Sequence, residues 1–165
     1  MNPMETPPAV LHMLCGKIAA GKSPLARQLA QAPRTVRINE DDWLYSLYPG
    51  EIHALADYAR CASRLRAAMA PHITALLRSG VSVVLDFPAN TPDTRSWARA
   101  IFEHAGAAHR LHFLDISDEQ CKTRLRARNA SGEHPFETSD AQFDQITRHF
   151  VAPTEQEGFV VVRHA

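Results

Sequence analysis

Apolar residues in this chain fall into short runs that alternate with longer, one-sided patterns. VLHMLC, at 10–15, is the first run of strand length, and 35–38 is a short second. VSVVL, at 81–85, is rich in β-branched residues and is the clearest. Runs at 110–114 and 159–162 bring the number of predicted strands to five. The stretches between them read as helices. One follows residue 23, with Leu25 and Leu29 on its apolar side. Another covers 42–47, and 52–79 is mostly helical in pattern, with Pro71 expected to kink or split it. Thr91 can cap a helix whose first position is Pro92, and Ser117 with Gln120 and Ser139 with Gln142 fit the Ser-x-x-Gln capping box.

Strands that alternate with helices favour parallel pairing through crossover connections. The near-continuous apolar character of 81–85 suits a central strand covered on both faces. The predicted fold class is therefore α/β: three layers, with a five-stranded parallel sheet between helices. No repeat, low-complexity tract or linker marks a second domain, so 1–165 reads as a single domain.

Composition narrows the partners. Lys+Arg and Asp+Glu balance at 18 each, which leaves no strong field to hold a nucleic-acid backbone or an acidic membrane. Cys15, Cys61 and Cys121 are odd in number and widely spaced, the usage of a reduced chain rather than of a disulfide framework. MNPMETPP at the start has neither a basic region nor an apolar run, and no stretch approaches the ~20 apolar residues of a membrane span. The expected setting is the cytoplasm. Among the nine histidines no pair has zinc-ligand spacing on a shared face, so they read as surface or core-edge residues.

The chemistry starts at GKIAAGKS, 16–23, which fits Gly, four residues, Gly-Lys-Ser between a strand and a helix. Glycines let such a loop turn its N–H groups inward around phosphates, and the following helix offers its positive end. The nucleotide-binding set is Gly16, Lys17, Ile18, Ala19, Ala20, Gly21, Lys22 and Ser23. Lys22 can reach the β- and γ-phosphates, and the Ser23 hydroxyl can bind Mg²⁺. ATP and Mg²⁺ are the expected cofactors, although no base-reading motif separates ATP from GTP. Lys17 is expected to face solvent or the nucleotide's edge.

INEDDW, at 38–43, begins where the second strand should end, the edge at which open parallel sheets bind ligands. A carboxylate there can take the proton of an attacking hydroxyl. Asp41 and Asp42 can equally favour the start of the next helix by countering its dipole; spacing alone leaves both readings open. Asp86 ends VSVVLD, the place of an acid that holds Mg²⁺ opposite Ser23 or merely orients the serine. In CKTRLRARNASGEHPF, at 121–136, Arg124 and Arg128 are four apart and share a helix face, whereas Arg126 points elsewhere. Arg60 and Arg64, also four apart, fit either an acceptor pocket or an exposed charged face. Trp43, Tyr45 and Tyr48 form an aromatic group that fits packing of the short helix.

The loop, INEDDW about 18 residues after it, and DFPANTPDTRSW at 86–97 together resemble the small P-loop kinases related to polynucleotide 5′-kinases, zeta toxins and chloramphenicol phosphotransferase. The resemblance implies the P-loop NTPase fold in its nucleoside-kinase-like strand arrangement. It implies Asp41 as general base, with Lys22, Arg128 and Arg124 as the other catalytic residues, and Ser23 and Asp86 at the metal. It also implies a lid at about 124–140 whose arginines close on the phosphates. Asp86, Asn90, Arg95 and Trp97 match the family's strand aspartate and the residues after it. Polynucleotide kinases place an acceptor-binding arginine where this chain has Leu44. That departure, with the balanced charge, favours a small-molecule hydroxyl as acceptor over nucleic acid. A polynucleotide or nucleotide-sugar kinase of toxin type and a non-catalytic ATP-binding module are the alternatives.

Overall fold

The VLHMLC run forms β1 (Val10–Cys15), which lies at the centre of the sheet. A computed structural model of the chain describes residues 7–132 and 137–165. After the glycine loop come α1 (Lys22–Leu29), β2 (Thr35–Asn39), α2 (Glu40–Leu47) and α3 (Leu55–Arg78). Then follow β3 (Ser82–Pro88), α4 (Pro92–Ala105), β4 (Ala108–Leu114), α5 (Asp118–Ser131) and α6 (Asp140–Thr147). A 3₁₀ turn at Glu155–Glu157 leads into β5 (Val161–His164). The strands pair in the order β2-β3-β1-β4-β5, and every pairing is parallel. This is the expected three-layer α/β sheet of a P-loop NTPase.

Alternation along the strands sorts the two faces. Leu11, Met13, Val83, Leu85 and Leu111 meet Leu65, Ile73, Leu77, Ala98, Ile101 and Phe102 of α3 and α4 in the larger core. On the other face, α1 buries Ala26 against Leu14 and Val84. Beside it, Leu114, Ile116, Cys121, Leu125 and Phe143 pack α5 and α6 together.

Two of the three expected caps form in full, and the third forms only its N-cap half. Thr91 and Thr94 bond reciprocally at the start of α4, with Pro92 in its first position, and Ser139 and Gln142 do the same at α6. Ser117 makes the N-cap bond at α5, accepting from the Gln120 N–H at 3.2 Å. Three expectations are narrowed by the structure. Pro71 does not split α3, which runs unbroken through it. Proline frees the carbonyl four residues earlier, at Ala67, and both residues are exposed, so water can take that bond. β5 starts two residues later than the apolar run, because Phe159 turns inward as an aromatic neighbour of Phe102 and His109. Finally, of the two places expected for the histidines, surface or core edge, His112 is not at the surface: it is buried, its Nε2 is 3.0 Å from His12 Nδ1 and its Nδ1 is 3.1 Å from His164 Nε2.

Residues 1–6, part of the N-terminal stretch, and 133–136 of the expected lid lie outside the described residues. Among the described residues no helix is long and apolar enough to cross a membrane. All three cysteines are free and buried.

Candidate active site

Tight packing under the loop explains its first glycine. A Cβ on Gly16 would lie 3.2 Å from Leu114 Cβ and 3.3 Å from Ala20 Cβ. Asn90, just beyond β3, holds Gly16 from both sides: Gly16 N–H donates to Asn90 Oδ1 at 2.9 Å, and Asn90 Nδ2 donates to the Gly16 carbonyl at 2.9 Å. Gly21 has φ +103° at the entry to α1, a conformation that disfavours any Cβ. Ile18 and Ala19 pack onto the cluster around Leu114 and Leu125, which anchors the loop from below.

Lys22 curls over the loop and donates to the carbonyls of Gly16 at 2.5 Å and Lys17 at 2.9 Å. A phosphate entering the loop competes with those carbonyls for the ammonium. Burial lowers the Lys22 pKa, and the charges of Asp86 and Asp41 oppose that shift. The Lys17 side chain turns towards α5. Its ammonium pairs with Asp118 Oδ1 at 2.6 Å, lies 5.7 Å from the Phe150 ring centroid, and ties the loop to the start of α5.

Ser23 Oγ donates to Asp86 Oδ2 at 2.9 Å. The same oxygen accepts from Asn39 Nδ2 at 2.7 Å and from Arg37 Nη2 at 2.7 Å and Nε at 3.2 Å. Parallel register puts Asn39 opposite Asp86 and Arg37 opposite Val84, so both reach the strand end from β2. A fully engaged, ion-paired oxygen suits an acid that orients Ser23. Among the described residues no group of three or more His, Cys, Asp or Glu side chains is set to hold a metal ion. This donor set fits Mg²⁺ held through the Ser23 hydroxyl, with waters and phosphate oxygens completing the shell, and Asp86 behind it.

Asn39 also caps α2, its Oδ1 accepting from the Asp42 N–H at 2.8 Å. Glu40, Asp41 and Asp42 form the first turn of α2, so the dipole reading holds for their placement. Asp42 is exposed, whereas Asp41 is half-buried and its charge acts on Lys22, Arg128 and Glu40. The two arginines of α5 face the same space. Arg124 Nη1 donates to the Ala20 carbonyl at 3.1 Å. Among the described residues the buried Nε of Arg128 has no hydrogen-bond partner, and burial lowers its pKa against the pull of Asp41. Arg126 pairs with Asp140 instead.

The carboxyl edge of the sheet thus gathers the loop, Ser23, Asp86, Asp41, Arg124 and Arg128. Arg60 and Arg64 stay outside: both are exposed, and Arg60 pairs with Asp57. Trp43 and Tyr45 are exposed too, so only Tyr48 of that aromatic group packs on the core. Leu44 is 1% exposed and turned into the core, so position 44 gives an acceptor no surface, and only the charge balance weighs against nucleic acid.

Several residues here escaped the sequence reading. Arg37 is one; its signal was a charge sharing its strand face with Asn39. Arg95, matched only as part of a motif, is fully buried and grips Glu157 at 2.8 and 3.1 Å and the carbonyls of Ala89 at 3.0 Å and Val151 at 2.8 Å. Glu40, Tyr58 and Arg66 form a further group. Glu40 is 2% exposed, accepts from the Tyr58 hydroxyl, and has its Oε2 3.9 Å from Arg66 Nη1.

This architecture is shared with solved kinases. A candidate kinase from Chloroflexus aurantiacus superposes with a TM-score of 0.72 at 19% identity, over 97% of this chain and 86% of that one. The Mycobacterium tuberculosis APS kinase in complex with AMPPNP and APS gives 0.56 at 20% identity, over 86% and 97%. A chain of the Pnkp1/Rnl/Hen1 RNA repair complex gives 0.63 at 19% identity, over 90% of this chain but 45% of that one. No curated protein matches the sequence. The family described as an AAA domain, AAA_33, matches residues 11–153. A match over most of the length means that the chain belongs to the AAA_33 family, described as an AAA domain.

Proposed function

We propose that the protein is an ATP-dependent phosphotransferase that moves the γ-phosphate to a hydroxyl of a small molecule. The observation that carries this reading is the placement of Asp41 within electrostatic reach of both Lys22 and Arg128, three residues from three elements. Asp41 accepts the proton of the acceptor hydroxyl as its oxygen bonds to the γ-phosphorus, and the bond to the β-phosphate oxygen breaks to release ADP. Lys22 and the loop amides hold the β- and γ-phosphates. Arg128 and Arg124 neutralise charge that builds between donor and acceptor. Mg²⁺, bound through Ser23, would balance the phosphate charge.

The likeness to APS kinase supports a nucleotide donor and a small acceptor. The likeness to the RNA repair chain keeps a 5′-hydroxyl polynucleotide as the competing acceptor. A non-catalytic ATP-binding module would have no use for a carboxylate within electrostatic reach of both Lys22 and Arg128.

The test incubates purified protein with γ-labelled ATP and a metabolite extract, and in parallel with a 5′-hydroxyl oligonucleotide. A newly labelled small molecule that is lost in Asp41→Asn supports the reading. Label on the oligonucleotide alone, or no product beside tight ATP binding, overturns it.

A further inference from the structure

Arg66 stands on α3 at the same edge of the sheet, eight residues beyond Tyr58. It shares a wall with Phe87, Pro88 and Ala89 at the end of β3 and with Thr94 and Trp97 of α4. The cavity enclosed there is only about 10 Å³, room for one water, so it is the floor of a site and not a chamber for a whole acceptor. The Arg66 side chain is 24% exposed and therefore reachable from solvent.

Its donors are not spent. An arginine carries five N–H groups. Among the described residues its ion-pair partner, Glu40 Oε2, is 3.9 Å away, an ion-pair distance too long for a hydrogen bond. Among the described residues that oxygen is buried with no hydrogen-bond partner, and so is the Nε1 of Trp97, a residue that lines the same cavity as Arg66. Buried polar groups are ordinarily satisfied, and one that is not leaves a bond for a water or a ligand to complete. Cation and indole N–H are donors suited to an oxyanion, and Glu40 Oε2 is an acceptor for a hydroxyl. The charge of Asp41 acts on Glu40, the ion-pair partner of Arg66, so an anion on Arg66 would lie near the proposed base.

We propose that Arg66 binds an anionic group, a carboxylate or a phosphate, of the hydroxyl compound that receives the phosphate. The proposal rests on the phosphotransferase reading and sharpens its acceptor class. α3 then supplies the acceptor-binding cation that position 44 lacks. A guanidinium holds either oxyanion through paired N–H bonds, which an ammonium at the same place reproduces only in part.

The experiment measures binding by calorimetry to the full chain saturated with AMPPNP and Mg²⁺. The probes are matched sets of three to six carbons: hydroxy acids, polyol phosphates and the corresponding neutral polyols. At least one anionic probe is expected to bind roughly tenfold or more tightly than its neutral match. The acid and phosphate arms tell which oxyanion is preferred. In Arg66→Met the advantage should vanish, and in Arg66→Lys it should return in part, with AMPPNP affinity and the circular dichroism spectrum unchanged in both. In turnover the loss should fall on the acceptor KM more than on kcat. Equal binding of neutral and anionic probes, no binding by any probe, or an Arg66→Met protein that keeps the preference overturns the proposal. An anion held through Arg66 without any phosphate transfer would leave this site standing and sink the enzymatic reading instead.

Discussion

Arg37 on β2 donates through Nη2 to Asp86 Oδ2 on β3 at 2.7 Å, and Ser23 donates to the same oxygen at 2.9 Å. A carboxylate already paired with a guanidinium is a weak direct ligand for a divalent cation but a firm orienter of a hydroxyl. Asp86→Ala should therefore loosen Ser23 and strand Arg37. Stability should fall by about 2–3 kcal/mol, below the cost of a fully buried pair because Arg37 is partly exposed. The Mg²⁺ concentration for half-maximal turnover should rise several-fold. Urea unfolding and a magnesium titration check both, and an unchanged magnesium curve would show that Asp86 serves the fold alone.

Asn90 satisfies both backbone groups of Gly16. Asn90→Ala leaves a donor and an acceptor exposed to whatever water can reach them, at about 1–3 kcal/mol. Because those groups shape the loop, the loss should appear in the nucleotide: AMPPNP affinity lower by about tenfold or more, with a smaller change in melting temperature. Calorimetry and a thermal melt separate the two effects. Gly16→Ala should weaken nucleotide binding at least as much, since its Cβ would press on Leu114 and Ala20.

How much of this was legible in the residues follows from the range of each interaction. The loop, the strands and the caps of α4 and α6 depend on neighbours within a few positions, so they could be read. The arginine pair of α5 follows from a four-residue spacing. Arg37–Asp86 and Arg95–Glu157 join residues 49 and 62 positions apart, and only strand register and the packing of the C-terminal turn bring them together. Glu40 drew no reading of its own; nothing local distinguishes it from Asp42, yet Glu40 is buried and Asp42 is left in water.

The histidine row across β1, β4 and β5 predicts an acid limit. His112 is pushed down to about 4, first by burial and then by the charges of His12, His164 and Arg110. Burial and Arg110 also lower His12. The unfolded chain takes up these protons nearer pH 6.5, so it binds more protons than the native state between there and about pH 4. Stability should thus be present above pH 6.5 and be lost as pH falls through that window. A melting temperature that declines from pH 7 to pH 4.5 in the wild type, and declines less in His112→Gln, is the expected result. Equal slopes would remove His112 as the cause.

Glu40 predicts the opposite slope. Burial raises its carboxyl pKa to about 7, the Tyr58 hydrogen bond and Arg66 pull it down, and the charges of Asp41 and Asp86 push it up. Here the native state holds the proton more tightly than the unfolded chain, so stability is full below pH 4.5 and is lost as pH rises through 7. Glu40→Gln keeps an acceptor for the Tyr58 hydroxyl and removes the buried charge. It should stabilise the protein at pH 8 by about 2–3 kcal/mol and change little at pH 5, as urea midpoints at the two pH values will show. The same substitution frees Arg66 from its carboxylate, so an anionic acceptor should bind the variant more tightly at pH 8 than it binds the wild type. At pH 5, where Glu40 is already neutral, that difference should close. A variant less stable at pH 8 than the wild type would mean that the Arg66 pairing outweighs the cost of burying the carboxylate.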